Sequence, residues 1–289
     1  MKIFLTGGTG FIGSYVLRDA LYAGHEVIAL RRSVQSRPHL SLDKEPFWLE
    51  RDLIGLTPAD LDGCSVVVHL ASAGVSPQHA PWEEMVRVNV VGSAHLIATA
   101  NQASVTRMVV SGTCHEYGIA ANLNQQLNGV TPLEPVSLYG ASKASGYQLL
   151  STYAQINSIE LFYGRIFNVY GDGQFEQNFW PSLKAAASQG NDFPMTSGEQ
   201  IRDFIAVEEV ASRLLGACTE PYRDGLLVRV ENICSSKPQT LLDFAEQEWK
   251  RLGAKGKLMP GVLPQRSQEA SQSSPHAAYV SSTESTTKP

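Results

Sequence analysis

Lys2-Ile-Phe-Leu-Thr6-Gly7-Gly8-Thr9-Gly10-Phe11-Ile12-Gly13 opens the chain with a short apolar run that breaks into four closely spaced glycines. Apolar residues then recur at Ile12, Val16, Leu17 and Leu21, the spacing of one helix face. Gly24 stands where a helix C-terminus favours glycine. Residues 26–30, Glu-Val-Ile-Ala-Leu, read as the next strand. Strand, helix and strand in this order make a βαβ unit, which implies a parallel sheet with right-handed crossovers.

The alternation continues outward. Residues 65–70, 107–111 and 160–167 read as strands, and residues 82–102 and 138–157 as helices. Strands this uniformly apolar are buried on both faces, which predicts an α/β fold with a Rossmann-type, doubly wound parallel sheet. After residue 168 the texture changes to short helices, loops, Gly and Pro. The expected division is a nucleotide-binding domain over 1–167, with a partial return near 200–218, and a smaller substrate-binding domain over 168–266. Residues 267–289 hold ten Ser or Thr and no Leu, Ile, Phe, Met or Trp, a composition too polar to build a core.

At 289 residues the chain is long enough to bury a core without disulfide or metal staples. Lys and Arg number 23 against 28 Asp and Glu, a balance that argues against a nucleic-acid partner. No apolar run reaches the roughly eighteen residues that span a bilayer, so no membrane partner is expected. The N-terminus lacks a signal-peptide layout. Cys64, Cys114, Cys218 and Cys234 stand far apart without metal-site spacing, so no metal is expected and the thiols suit a reducing, cytoplasmic setting.

A glycine turn between first strand and first helix lets backbone approach a pyrophosphate, while the helix start offers free N–H groups. Within a βαβ unit this is a dinucleotide fingerprint, assigning Gly7, Gly10, Phe11, Ile12 and Gly13 to the cofactor. At the end of the second strand an Asp or Glu would take the ribose 2′-hydroxyl of NAD. Arg31 and Arg32 stand there instead and suit a 2′-phosphate. NADP, as NADPH, is therefore preferred, with NAD the alternative if both arginines are merely solvated.

Tyr139-Gly-Ala-Ser-Lys143 puts a tyrosine and a lysine four residues apart on one helix face. A nearby ammonium would lower the tyrosine's pKa towards the working range and make it a useful acid–base. The preceding strand ends near Thr113, whose hydroxyl can bond the oxygen on which Tyr139 acts.

Taken together, Thr6-Gly-Gly-Thr-Gly-Phe-Ile-Gly13, the Thr113 strand end, Tyr139-Gly-Ala-Ser-Lys143 and Arg165-Ile-Phe-Asn168-Val-Tyr-Gly171 resemble the extended short-chain dehydrogenase/reductases of the NAD-dependent epimerase/dehydratase family, over nearly the whole chain to about Arg266. The resemblance implies a nucleotide-sugar substrate and catalysis by Thr113, Tyr139 and Lys143. It further places Asp52 and Leu53 at the adenine, Leu70, Ala71 and Ser72 along the diphosphate and ribose, Asn89 on the helix behind them, and Phe167 and Asn168 at nicotinamide and substrate. In Thr196-Ser-Gly-Glu-Gln-Ile-Arg-Asp-Phe-Ile205, Arg202 matches the arginine that binds the substrate diphosphate, and Arg266 is a second candidate.

The family's 4,6-dehydratases carry an Asp-Glu pair after the strand-end threonine, where this chain has Cys114 and His115, which disfavours dehydration. His115 remains a candidate sugar contact. The closest likeness is to nucleotide-sugar 4-keto-6-deoxyhexose reductases of the CDP-abequose synthase type, implying NADPH-dependent reduction at C4. The alternatives are an NAD-dependent 4-epimerase and a non-catalytic cofactor-binding module. A homodimer is expected by the same resemblance, and the polar tail stands where the family usually ends in an apolar helix.

Overall fold

The computed structural model describes residues 1–75, 80–123, 127–222, 226–264 and 285–286. The chain begins β1 (Lys2–Thr6), α1 (Phe11–Tyr22), β2 (Glu26–Arg31), β3 (Phe47–Glu50), β4 (Val66–His69) and α2 (Trp82–Val86). A π-helical stretch (Arg87–Gly92) joins α2 directly to α3 (Ser93–Gln102), and β5 (Arg107–Thr113) ends in a 3-10 turn (Cys114–Glu116). Next come α4 (Ala120–Leu123), α5 (Leu138–Ile156), β6 (Glu160–Ile166), β7 (Asn168–Tyr170), α6 (Phe179–Gln189), β8 (Phe193–Pro194) and β9 (Ile201–Ala206). The chain continues with α7 (Val207–Gly216), β10 (Val228–Ile233), β11 (Pro238–Thr240), α8 (Leu241–Arg251), β12 (Leu258–Met259) and β13 (Ser285–Thr286).

The main sheet runs β13-β10-β6-β5-β4-β1-β2-β3 and is parallel throughout except where β13 joins antiparallel. Strand order reverses between β1 and β4, and such a switch point opens a crevice at the carboxyl ends of the strands. Successive side chains of a strand face opposite sides, so β1 sends Ile3 and Leu5 to one core and Phe4 to the other. The first core is closed by α1 and α7, through Val16, Leu17, Val210 and Leu214. Leu96 and Ile97 of α3 and Leu150 and Ala154 of α5 close the second.

The predicted strands and helices are present, each within a residue or two at its ends. Two further strands were not legible. β3 (Phe-Trp-Leu-Glu) is a four-residue edge strand with partly exposed side chains and no buried face. β10 interleaves Arg229, Glu231 and Asn232 with its valines and isoleucine, yet lies fully inside the sheet beside β6. The chain thus returns to the main layer through α7 and β10, beyond the 200–218 region expected. A smaller sheet, β11-β9-β7, and the β12-β8 pair carry the remainder with α6 and α8. No helix among the described residues is long and apolar enough to cross a membrane.

Candidate active site

The glycine turn is built for close backbone approach. Gly7 has φ +76°, and a Cβ on Gly13 would lie 2.0 Å from the Gly7 carbonyl oxygen. A Cβ on Gly7 would meet the Leu70 carbonyl carbon at 2.5 Å and the Ala71 nitrogen at 2.6 Å, so the turn rests directly on the end of β4. The first helical hydrogen bond of α1 is donated by Ser14 to Gly10, and Gly10 supplies no side-chain cap. The N–H groups of Phe11, Ile12 and Gly13 are therefore the orphan donors of a helix start, with no acidic residue in the first turn. An uncapped helix end behind a side-chain-free turn fits a dinucleotide pyrophosphate, and these residues would hold it.

Asn89 organises the wall opposite, from within the π-helical stretch, a geometry often found at functional sites. Its Oδ1 accepts from Ser72 Oγ at 3.0 Å and Ala73 N at 2.9 Å, and its Nδ2 donates to Ser142 Oγ at 2.9 Å. Below the turn lies a residue that sequence reading missed. His69 is buried, shares a hydrogen bond of 2.7 Å with Thr6 Oγ1 and one of 2.9 Å with Ser93 Oγ, and burial lowers its pKa to about 3. Its place at the strand's carboxyl end, in Val-Val-Val-His, was the available signal.

At the ends of β2 and β3, where the cofactor's adenosine is expected, Arg31 is engaged by a carboxylate. Its guanidinium donates to Glu50 at 2.7 Å and lies 4.9 Å from the Trp48 ring centroid. Arg31 and Glu50 are register partners at the ends of β2 and β3, so a carboxylate does stand here, one strand further along than expected. Arg32 is exposed. Asp52 caps the short turn Leu53–Gly55 by accepting from Ile54 N at 3.0 Å and ion-pairs with Arg87 at 3.0 Å. The Ile54 hydrogen bond is the main cause of its lowered pKa. Leu53 is buried against Gly92.

Tyr139 lies in the first turn of α5, capped by Ser137, whose Oγ accepts from Gly140 N at 3.1 Å. The phenol is half-buried, and burial pushes its pKa up to about 12, while hydrogen bonds with Ser72 and Thr113 pull the other way. Lys143 is buried, donates from Nζ to the Ser111 carbonyl at 2.7 Å, and burial lowers its pKa to about 8. The tyrosine's pKa thus moves opposite to the lowering expected from the lysine, with desolvation of the phenol as the main cause. Still, the Thr113, Ser72 and Tyr139 hydroxyls converge at the carboxyl ends of β4 and β5, with Lys143 one helical turn beyond Tyr139 on α5 and bonded to Ser111 of β5.

The 3-10 turn that follows splits its side chains. Cys114 is buried, its thiol pushed up to about 12 by desolvation. His115 is exposed to the cleft, its ring 6.0 Å from that of Tyr139 in an edge-on arrangement. Its pKa is lowered by desolvation first and then by the charge of Arg202 of β9. Glu116 turns the other way into the core, where it pairs with Arg165 at 2.9 Å, a second feature that sequence reading left unassigned.

Asn168 Nδ2 donates to the Asp203 carbonyl at 3.2 Å and so ties β7 to β9 beside Arg202. Phe167, just after β6, is buried with Cys114, Tyr117 and Leu127. Arg266 lies outside the described residues. The four cysteines are free and buried, and no group of side chains suited to a metal ion occurs among the described residues.

Comparison with known proteins agrees with this architecture. Residues 3–227 match the model of the NAD dependent epimerase/dehydratase family. A dTDP-6-deoxy-L-talose 4-dehydrogenase (NAD(+)) of Aggregatibacter actinomycetemcomitans is 27% identical, covering 93% of this chain and 97% of its own. A UDP-glucose 4-epimerase of Lactobacillus helveticus is 26% identical over 73% of this chain and 69% of its own. Among solved structures, the NAD-dependent NDP-hexosamine 5,6-dehydratase TunA of tunicamycin biosynthesis superposes with a TM-score of 0.74 at 27% identity, covering 96% of this chain and 91% of its own. The chain belongs to the NAD-dependent epimerase/dehydratase family of extended short-chain dehydrogenase/reductases.

Proposed function

We propose that the chain reduces the C4 keto group of a nucleotide-diphosphate 4-keto-6-deoxyhexose. The observation that carries the reading is the convergence of the Thr113, Ser72 and Tyr139 hydroxyls, one helical turn before a buried Lys143. A bound nicotinamide would supply the hydride. Thr113 and Ser72 would hold the substrate oxygen, and Tyr139 would give its phenolic proton to the alkoxide that forms there. Lys143, charged below about pH 8, would stabilise the phenolate left behind. Arg202 would pair with the substrate diphosphate, and His115 would face the sugar. A buried thiol at Cys114 cannot protonate a leaving hydroxyl, which weighs against water elimination. The similar 4-dehydrogenase of a 6-deoxyhexose supports the choice of C4 and of substrate class.

The pairing of Arg31 with Glu50 favours a second reading. A carboxylate at this position would accept from a ribose hydroxyl and repel a 2′-phosphate, which suits tightly held NAD and hence a 4-epimerase. NADPH remains the cofactor we propose for the reductase, with Arg32 exposed to meet its phosphate. Exposed apolar side chains on the two long helices, Trp82, Val91, Leu149 and Ile156, support a homodimer, which sedimentation would test. Incubation with a panel of nucleotide-4-keto-6-deoxysugars separates the two readings: stoichiometric NADPH or NADH oxidation marks the reductase, whereas interconversion of two hexoses without net oxidation marks the epimerase.

A further inference from the structure

Beneath the catalytic hydroxyls lies a buried polar cluster that touches no cleft. Glu116 is fully buried at the end of the 3-10 turn. Its Oε1 accepts from the Thr113 backbone N–H at 2.8 Å and from the Tyr163 hydroxyl at 2.9 Å, and its Oε2 accepts from Arg165 Nε at 2.9 Å. The Tyr163 hydroxyl also lies 3.3 Å from the Lys143 carbonyl oxygen, so one phenol on β6, its single proton shared between two acceptors, bridges the carboxylate and the α5 turn that carries Lys143. Arg165 is held in turn by the Tyr117 hydroxyl and the Gly129 carbonyl, both at 3.2 Å, with the Tyr147 ring centroid 4.8 Å from its guanidinium.

Room for this cluster exists because position 112 is glycine. A Cβ there would fall 2.3 Å from Tyr163 Cε1 and 2.8 Å from Glu116 Oε1. Burying a carboxylate and a guanidinium is costly, and an apolar pair of similar volume would often stabilise a core as well or better. The stability of the sheet alone therefore does not account for the ion pair at this place.

We propose that Glu116 is a positioning residue for the reaction assigned above, fixing Thr113 on β5 and, through Tyr163, the Lys143 turn of α5 in one frame. This inference rests on the catalytic reading of Thr113, Tyr139 and Lys143. Its mechanical part is that the two elements carrying the reactive groups are both tied to the same carboxylate, in addition to the direct bond from Lys143 Nζ to the Ser111 carbonyl. A displacement of about 1 Å in such a frame can cost on the order of a hundredfold in rate. Its electrostatic part is that the Glu116 charge raises the pKa of Lys143 against burial and raises that of Tyr139. The other titratable or charged groups facing Lys143, Tyr139 and Glu116 are His69 on β4, Cys114, His115 and Tyr117 on and after the turn, Tyr147 on α5, Tyr163 and Arg165 on β6, and Arg202 on β9 beyond His115.

Two variants test the proposal, each assayed as full-length protein with NADH or NADPH and the 4-keto-6-deoxysugar that the wild type turns over. Tyr163→Phe cuts the tie to Lys143 and leaves the Glu116–Arg165 pair in place. It is expected to melt near the wild type and to bind cofactor with the same Kd, while kcat falls about tenfold with little change in KM. Glu116→Gln removes the charge, and the alkaline limb of its kcat profile is expected to move to lower pH because Lys143 loses its proton more readily. Should Glu116→Gln fail to fold with Arg165 left unpaired, Tyr163→Phe decides alone. A folded Tyr163→Phe with kcat within twofold of wild type, or a folded Glu116→Gln with an unmoved alkaline limb, overturns the proposal. Tyr139→Phe run alongside keeps the two claims apart: undiminished turnover there defeats the catalytic reading, whatever the other variants do.

Discussion

Tyr139 and Lys143 stand four residues apart and feel the same burial with opposite signs. Desolvation disfavours the charged form of each, so the phenol rises to about 12 and the ammonium falls to about 8. Both shifts favour the neutral forms, and the lysine's titration is predicted to set the upper edge of the working range. Reduction rate is predicted to be lost as pH rises through about 8, where the charge that stabilises the tyrosine's phenolate disappears; a pH–kcat profile flat to pH 10 would contradict this. Tyr139→Phe is predicted to lower turnover by roughly a hundredfold or more while leaving NADH or NADPH affinity unchanged, since proton transfer of this kind contributes about 10²–10⁴ in rate. At the other end of the cleft, Glu50 neutralises Arg31. Glu50→Gln is predicted to shift the NADPH-to-NADH preference about tenfold towards NADPH, read as the ratio of Kd values, because it frees a guanidinium for a 2′-phosphate. No shift in that ratio would remove Arg31 from cofactor selection.

At the scale of elements, the joint between β1 and α1 was legible and the joint between β2 and β3 was not. Glycine spacing announces a backbone approach, and the structure supplies the reason, since a Cβ on Gly13 would fall 2.0 Å from the Gly7 oxygen. Gly13→Ala is accordingly predicted to abolish measurable cofactor binding by calorimetry, with the turn forced off α1; retained affinity would mean that the helix start is not the pyrophosphate site. The Arg31–Glu50 pair could not be read in advance because it joins residues 19 positions apart across strands whose pairing only the sheet defines. Glu116 was hidden for a related reason. Cys114 and Glu116 are buried while His115 between them is exposed, because a 3-10 turn points its three side chains in different directions. A charged residue inside the core reads from sequence as a loop residue until its partner, Arg165 on β6, is seen.

Across the whole molecule, the hydrophobic periodicity of the first half carried the fold, and the interleaved polar strand β10 shows where that signal ends. The sheet also carries a pH dependence of its own. His69 has a folded-state pKa of about 3 against an ordinary 6.5, so between these values the unfolded chain takes up a proton that the folded chain refuses. Its contribution is complete above about pH 6.5 and is lost as pH falls towards 3, at up to about 1.4 kcal/mol per pH unit. Melting temperatures between pH 7 and 4 are predicted to fall more steeply for the wild type than for His69→Gln; equal slopes would contradict this. The assignment of hydride transfer at C4 is tested most directly by mixing purified protein with NADPH or NADH and a panel of nucleotide-4-keto-6-deoxysugars, following absorbance at the nicotinamide band. The account predicts oxidation stoichiometric with one of these sugars and its loss in Tyr139→Phe. Interconversion of two nucleotide-hexoses with no net oxidation, or oxidation undiminished in Tyr139→Phe, would contradict it.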